Sequence, residues 1–218
     1  MIMKIISHLS SEYLKLPITH DNGAYFYSKE LLENIVPHIK TKRNWILINA
    51  EGKCYDNSIV IIHNNKNPER YEWLRQYKNL ILVCSQIKTL NKLIEMHPKF
   101  HSILIPLSID TEYVKKFRVK RKTKNIGYFG RIVKCPSYIL EDDSIDKIYG
   151  LNRDELLKTL AKYKKVYAIG RCALEARCLG CEVLHHAGEY ENVEFTLYDN
   201  KDIIPEFQRL INEIDNVV

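Results

Sequence analysis

The chain has 218 residues, of which 45% are hydrophobic and 28% are charged, and its formal net charge is +6. A chain of this size can bury about 70% of the surface that its unfolded form exposes, so a real core is available. A transmembrane helix needs about 20 consecutive apolar residues, and no apolar run in the sequence approaches this length, which argues against a membrane-spanning protein. The six cysteines are spread along the chain, which favours reduced thiols over a disulfide framework.

The strands and helices predicted for the first half of the chain alternate. Short apolar runs predict strands at 3–6, 45–48, 59–63, 80–84 and 102–106, and the stretches between them predict helices at 28–39, 68–76 and 89–96. This alternation favours a parallel sheet with helices on its faces. The N-terminus enters a strand pattern without the features of a secretory signal, so we expect the chain to be cytoplasmic.

The positive charge is concentrated in the segment 115–124, which holds seven basic residues and no acidic one. Without these seven, the 33 basic residues of the chain fall to 26, against 27 acidic residues. The simplest interpretation is a solvent-exposed linker. The functional alternatives are contact with ligand phosphates, with anionic lipid headgroups or with nucleic acid.

After this segment the pattern restarts at 125–130, and a helix is predicted at 154–163. An apolar run at 165–169 stops at Gly170, a helix over 171–179 ends at Gly180, and a further apolar run begins near 182. A last amphipathic helix is predicted from 205 to 214. We therefore expect a first domain over 1–114, a basic linker over 115–124, a second domain over 125–204, and a helix over 205–218 that could cross back.

The block 167–184 carries the strongest functional signal. A glycine at its turn lets a ligand approach the backbone, and the free N–H groups of the following helix attract phosphate. Glu175 lies four residues beyond Arg171, so both side chains lie on one side of that helix. Compensation of the helix dipole alone also explains an acid there. Cys178 and Cys181 span a helix end with no second pair at metal spacing, so no metal site is expected.

This block resembles the donor-site motif of the nucleotide-sugar glycosyltransferases with the GT-B fold, the retaining group that includes glycogen and sucrose synthases. The residues that match the family pattern are Gly170, Glu175, Ala176, Gly180 and Val183. The resemblance implies that Glu175 bonds the ribose hydroxyls of the donor. The family's first glutamate falls on Tyr167, and its proline falls on Glu182.

Four further segments resemble the same family in the same order, at 82–85, 105–111, 126–131 and 152–157. Together with the donor block, the resemblance covers about half of the chain. It implies an α/β architecture of two small Rossmann-like domains, whose parallel sheets face a cleft.

The resemblance also implies roles for particular residues. Gly130 opens the donor domain, and Arg131 is expected to contact the diphosphate, because a planar guanidinium suits two oxygens at once. The family's phosphate-binding lysine falls on Pro136, so Lys134 is the candidate substitute. Asn152 is expected near the nucleotide base.

The chemistry implied is electrostatic stabilisation of the leaving diphosphate by Arg131 and by the backbone of Gly170, Arg171 and Cys172. His63 follows a predicted strand, and the resemblance places it near the transferred sugar, so His63 and Arg131 are the catalytic candidates. A histidine that is hydrogen-bonded under a loop is the plainer interpretation of His63. No Asp-x-Asp motif occurs, and neither a metal nor a cofactor is expected.

These expectations describe a metal-independent, retaining glycosyltransferase that is cytoplasmic or peripheral to a membrane. Its donor would be a nucleoside-diphosphate sugar, and its acceptor a glycan, a lipid-linked molecule or a nucleic acid. One alternative is an inactive nucleotide- or sugar-binding relative, which Tyr167, Pro136 and the short second domain favour. The other is a DNA-modifying glycosyltransferase whose basic segment 115–124 binds the phosphate backbone.

Overall fold

The computed structural model describes residues 4–7, 23–47, 54–62, 68–185 and 196–217. The chain divides into two compact units. The first contains the first strand, Ser28–Leu107 and Lys201–Val218, and the second contains Ser108–Asn200. The boundary after residue 107 precedes the expected one at 114 because Ser108 donates to Asn200 Oδ1 at 2.7 Å, inside the second unit. The backbone N–H of Thr111 likewise donates to Asp199 Oδ2 at 3.1 Å.

Both units contain a parallel sheet, as the alternation of strands and helices predicts. The first sheet has the consecutive order β1-β2-β3-β4-β5, formed by Ile5–Ser7, Asn44–Leu47, Ser58–Ile61, Ile81–Cys84 and His101–Leu104. The second has the order β7-β6-β8-β9, where β6 to β9 are Lys124–Phe129, Ile145–Ile148, Tyr163–Tyr167 and Glu182–Leu184. Every residue of β3 and β4 is buried, which explains their unbroken aliphatic runs.

Seven α-helices accompany these strands in the part of the chain that the structure describes. They are α1 to α7, at Gly23–Glu30, Ile87–Met96, Thr111–Lys115, Ser137–Leu140, Arg153–Leu160, Gly170–Cys178 and Asn200–Val217. Helix α1 continues into a π-turn, Leu31–Ile35, and a 3-10 turn, Val36–His38, and a 3-10 helix forms Pro68–Gln76. Among these described helices, none is long and apolar enough to cross a membrane.

Helix α7 packs on the sheet of the first unit. Its Phe207 meets Trp45 of β2 edge-on, with the ring centroids 5.7 Å apart. Arg43, which is 2% exposed, donates from Nε to Asp215 Oδ1 at 2.7 Å. Ile46, next to Trp45, lies on the opposite face, in a core with Leu82, Leu74 and Leu93. The sheet of the first unit is therefore covered on both faces.

The strands of the second sheet are all parallel, but the order in which the chain adds them reverses at β6. The chain passes from β6 to β7 on one side, and then crosses back over β6 to reach β8 on the other side. In open α/β sheets, ligands bind outside the carboxyl ends of the two strands at such a reversal. The candidate position in this unit is therefore the carboxyl ends of β6 and β8.

Strand β7 was not predicted from the sequence, and neither were the short helices α3 and α4. The four residues of β7 are Ile145, Asp146, Lys147 and Ile148, so charged residues occupy both central positions. A strand at the edge of a sheet tolerates such residues, because one side of it stays accessible to solvent. The second unit is therefore more complete than its short length suggested.

Candidate functional site

The carboxyl ends of β6 and β8 lie side by side. The pairing register places Tyr128 of β6 opposite Tyr167 of β8. Gly130 and Arg131 follow directly after β6, while Gly170 opens α6 shortly after β8. The structure thus brings together two segments that are separate in the sequence and that both carried predicted site residues.

Gly170 forms an open turn at the start of α6. Its φ is +56°, in the left-handed region that favours glycine, and a Cβ added there would meet no heavy atom of the described residues within 4 Å. The first turn of α6 contains no acidic residue, and its N-cap residue, Ile169, makes no side-chain hydrogen bond. The first backbone N–H groups of a helix have no partner within the helix, so this helix start combines hydrogen-bond donors with room for a ligand beside Gly170.

Gly130 has a packing role instead. A Cβ at this position would lie 2.8 Å from the hydroxyl oxygen of Tyr128, so any side chain there would displace the Tyr128 hydroxyl. That hydroxyl donates to the carbonyl oxygen of Arg131 at 3.0 Å, and burial raises the pKa of Tyr128 to about 12. Tyr128 thereby fixes the backbone turn that presents Arg131, whose side chain is exposed.

Tyr167 occupies the position where the resembled family has its sugar-contacting glutamate. The side chain is partly buried and packs against the cluster of Tyr128, Ile139 and Ile145. This position therefore contributes to the apolar core of the second unit and offers no carboxylate.

Glu175 is the centre of a buried ionic cluster. Its side chain is 3% exposed, and its Oε1 lies 3.0 Å from Nε of Arg171 and 3.1 Å from Nη2 of Arg153. Arg171 is one helical turn away on α6, whereas Arg153 begins α5. A buried carboxylate is costly unless it is paired, and the two guanidinium groups satisfy this need.

Three residues that the sequence analysis did not assign to the site, Arg153, Tyr113 and Asp154, complete this cluster. Arg153 lies over the ring of Tyr113 of α3, with its Cζ 5.7 Å from the ring centroid. The Tyr113 hydroxyl donates to Asp154, and this hydrogen bond, with some burial, raises the pKa of Tyr113 to about 12. The apolar stretch of α6 around Glu175 indicates that this acid needs a basic partner, but it does not specify Arg153.

Asn152 caps a helix. Its Oδ1 accepts from the backbone N–H of Glu155 at 3.0 Å, and Glu155 Oε2 accepts from the backbone N–H of Asn152 at 3.2 Å. This reciprocal capping box explains why α5 begins there. The predicted contact of Asn152 with a nucleotide base would have to compete with this cap.

The remaining predicted residues lie as follows. Lys134 is exposed, and its backbone N–H donates to the carbonyl oxygen of Arg131 at 2.9 Å across a short 3-10 turn. Cys172 lies in the first turn of α6, and burial raises the pKa of its thiol, so it stays neutral near pH 7. His63 lies outside the described residues. Within the described ranges, no group of three or more His, Cys, Asp or Glu residues could hold a metal ion.

The basic segment 115–124 has structural contacts that the linker interpretation did not anticipate. Arg118 Nε donates to the Cys178 carbonyl oxygen at 2.8 Å, and Lys122 Nζ donates to the Ala161 and Leu179 carbonyl oxygens at 3.2 Å. These side chains therefore satisfy the carboxyl ends of α5 and α6. Lys115 pairs with Glu112 at 3.2 Å and Lys124 with Asp146 at 3.3 Å, which leaves fewer charges for a nucleic-acid backbone.

Comparison with known proteins does not identify a family. No family model matches the sequence, and no curated protein matches it significantly. The function must therefore be argued from the geometry of the site.

Proposed function

We propose that the chain is a glycosyltransferase that binds a nucleoside-diphosphate sugar at the carboxyl ends of β6 and β8. The observation that carries this proposal is that the Gly170 turn and the Arg131 turn follow the carboxyl ends of two neighbouring strands, at the reversal of strand order. The GT-B arrangement, in which two Rossmann-like domains face one cleft, is part of the proposal. Independence from a metal ion is part of it too.

The proposed chemistry is the departure of the diphosphate from the sugar. The bond between the anomeric carbon and the phosphate oxygen breaks, and its electron pair leaves with the diphosphate. The oxygen of the acceptor hydroxyl forms the new bond to the anomeric carbon, and its proton passes to an oxygen of the leaving diphosphate. In this proposal, the backbone N–H groups at the start of α6 and the exposed guanidinium of Arg131 stabilise the charge on the leaving group. Retention of configuration follows from the resemblance alone.

A second candidate function is a nucleotide-binding protein that transfers no sugar. The side chain of Tyr167, which packs with Tyr128 and Ile139, favours this candidate. In this candidate, the residue at the sugar-contacting position packs in the core, and the residues proposed to bind the diphosphate are the same as in the glycosyltransferase proposal.

A thermal-shift screen of nucleoside diphosphates and sugar nucleotides, followed by a sugar-transfer assay on each ligand that binds, tests the proposal. A ligand at 100 times its dissociation constant should stabilise the protein by about 2.7 kcal/mol. Arg131→Gln should reduce this shift, whereas Lys158→Gln, which removes an exposed charge from the last turn of α5, should not. Binding without transfer would favour the second candidate. If no compound stabilises the protein, both candidates are wrong.

A further inference from the structure

Glu175, which the resemblance assigns to the ribose of the donor, has surroundings that suit a different role, and that role rests on the proposed nucleotide site. The carboxylate is 3% exposed and already lies within hydrogen-bond distance of two guanidinium groups. Bonding sugar hydroxyls would require it to leave these partners or to become accessible. Its position suits another role better.

The two arginines are more accessible than the acid that joins them. The side chain of Arg153 is 19% exposed and that of Arg171 is 10% exposed. Arg171 directly follows the open turn at Gly170. Arg153 is held from a second side by the ring of Tyr113, whose hydroxyl is engaged by Asp154. Guanidinium groups fixed in this way lose little side-chain entropy when they bind phosphate oxygens.

We propose that Glu175 is a positioning residue that holds Arg171 and Arg153, and that these arginines contact a phosphate group of the ligand. The group recognised is a diphosphate, either free as inorganic pyrophosphate or within a nucleotide. The carboxylate itself makes no contact with the ribose.

Isothermal titration calorimetry of the full chain tests this role with two kinds of probe. One is inorganic pyrophosphate, and the other is UDP, GDP and ADP, each beside its 2′-deoxy counterpart. Glu175→Gln keeps the shape of the side chain and removes the charge that holds both arginines. Glu182→Gln is the matched control, because it makes the same charge change in an exposed pair with Lys165 at 3.2 Å.

Glu175→Gln and Arg171→Gln should each weaken the binding of pyrophosphate and of the nucleotides by about tenfold or more, which corresponds to about 1.4 kcal/mol. Glu182→Gln should leave the affinity unchanged. The ratio of ribonucleotide to deoxynucleotide affinity should be the same in the wild type and in Glu175→Gln. In the double variant that combines Glu175→Gln with Arg171→Gln, the loss of binding free energy for pyrophosphate should be smaller than the sum of the two single losses, because Glu175 acts through Arg171.

Different outcomes overturn different statements. A ribose preference that disappears in Glu175→Gln, with pyrophosphate affinity unchanged, would overturn this inference and leave the proposed function intact. Pyrophosphate binding that weakens in Glu175→Gln and Arg171→Gln, without nucleotide binding or sugar transfer by the wild type, would support the phosphate-binding role of the arginines and overturn the proposed function. A wild type that binds none of the probes would overturn both. If Glu175→Gln does not fold, Arg171→Gln and Arg153→Gln carry the test, and unchanged pyrophosphate affinity in both would overturn the inference.

Discussion

Replacement of Gly170 by alanine tests the position of the ligand most directly. Gly180→Ala is the matched control, because Gly170 begins α6, Gly180 lies just beyond its end, and the two have φ of +56° and +75°. At both positions, an added Cβ would meet no heavy atom of the described residues within 4 Å. The two substitutions therefore impose the same kind of backbone strain without a clash in the described part of the protein.

The cost in stability follows from this geometry. An L-residue in the left-handed region costs about 1–2 kcal/mol relative to its ordinary conformations. Both variants should therefore lose a similar amount of unfolding free energy. For a chain of this size, that loss lowers the melting temperature by about 2–8 °C.

Ligand affinity should separate the two variants. The methyl group of Gly170→Ala would occupy the space beside the first N–H groups of α6, where a phosphate oxygen must approach to about 2.7–3.2 Å. The affinity for pyrophosphate and for the best nucleoside diphosphate should fall by about tenfold or more, or about 1.4 kcal/mol. Gly180→Ala should bind like the wild type. Calorimetry that finds equal affinities in the two variants would refute a ligand at this turn.

Two further predictions concern the stability of the first unit. His97 is 1% exposed, and its ring nitrogens have no hydrogen-bond partner among the described residues, so burial, together with Arg75, lowers its pKa. Because the folded protein holds His97 neutral, its protonation favours the unfolded chain. The free energy of unfolding is therefore unaffected by the protonation of His97 above the unfolded pKa of about 6.5, and it decreases as the pH falls below that value. Urea unfolding should be measured at pH values of about 7.5 and about 5.5. The free energy of unfolding should fall less between these pH values for His97→Leu than for the wild type, and equal decreases would contradict this account. Arg43→Met removes the donors bound by Asp215 and by the Asn79 carbonyl oxygen, at 2.7 and 2.8 Å, and should cost about 1–3 kcal/mol in chemical denaturation. Arg209→Met, which breaks only ion pairs between exposed side chains on α7, should change the stability little; a comparable loss would show that the burial of Arg43 does not matter.

Much of the fold is predictable from the sequence, because the signals are local. Alternating apolar runs and helical stretches predict parallel sheets with helices, and the structure confirms them. The block around Gly170 also predicts a strand, a glycine turn and a helix, which the structure shows as β8, a residue with φ of +56°, and α6. Turn chemistry and residue periodicity act over a few residues, so the sequence alone is sufficient here. The glycosyltransferase assignment stays a prediction.

The candidate site depends on contacts that are distant in sequence. Only the order of strands reveals that the ends of β6 and β8 are neighbours, since β7 intervenes in the chain and was not predicted. The partners of Glu175 show the same dependence, because Arg171 was evident from helical spacing while Arg153 comes from another helix. Local propensity determines which segments become strands and helices, whereas burial determines which of them meet. A buried charge must find its partner wherever the packed structure brings one, and no pattern along the chain specifies that place.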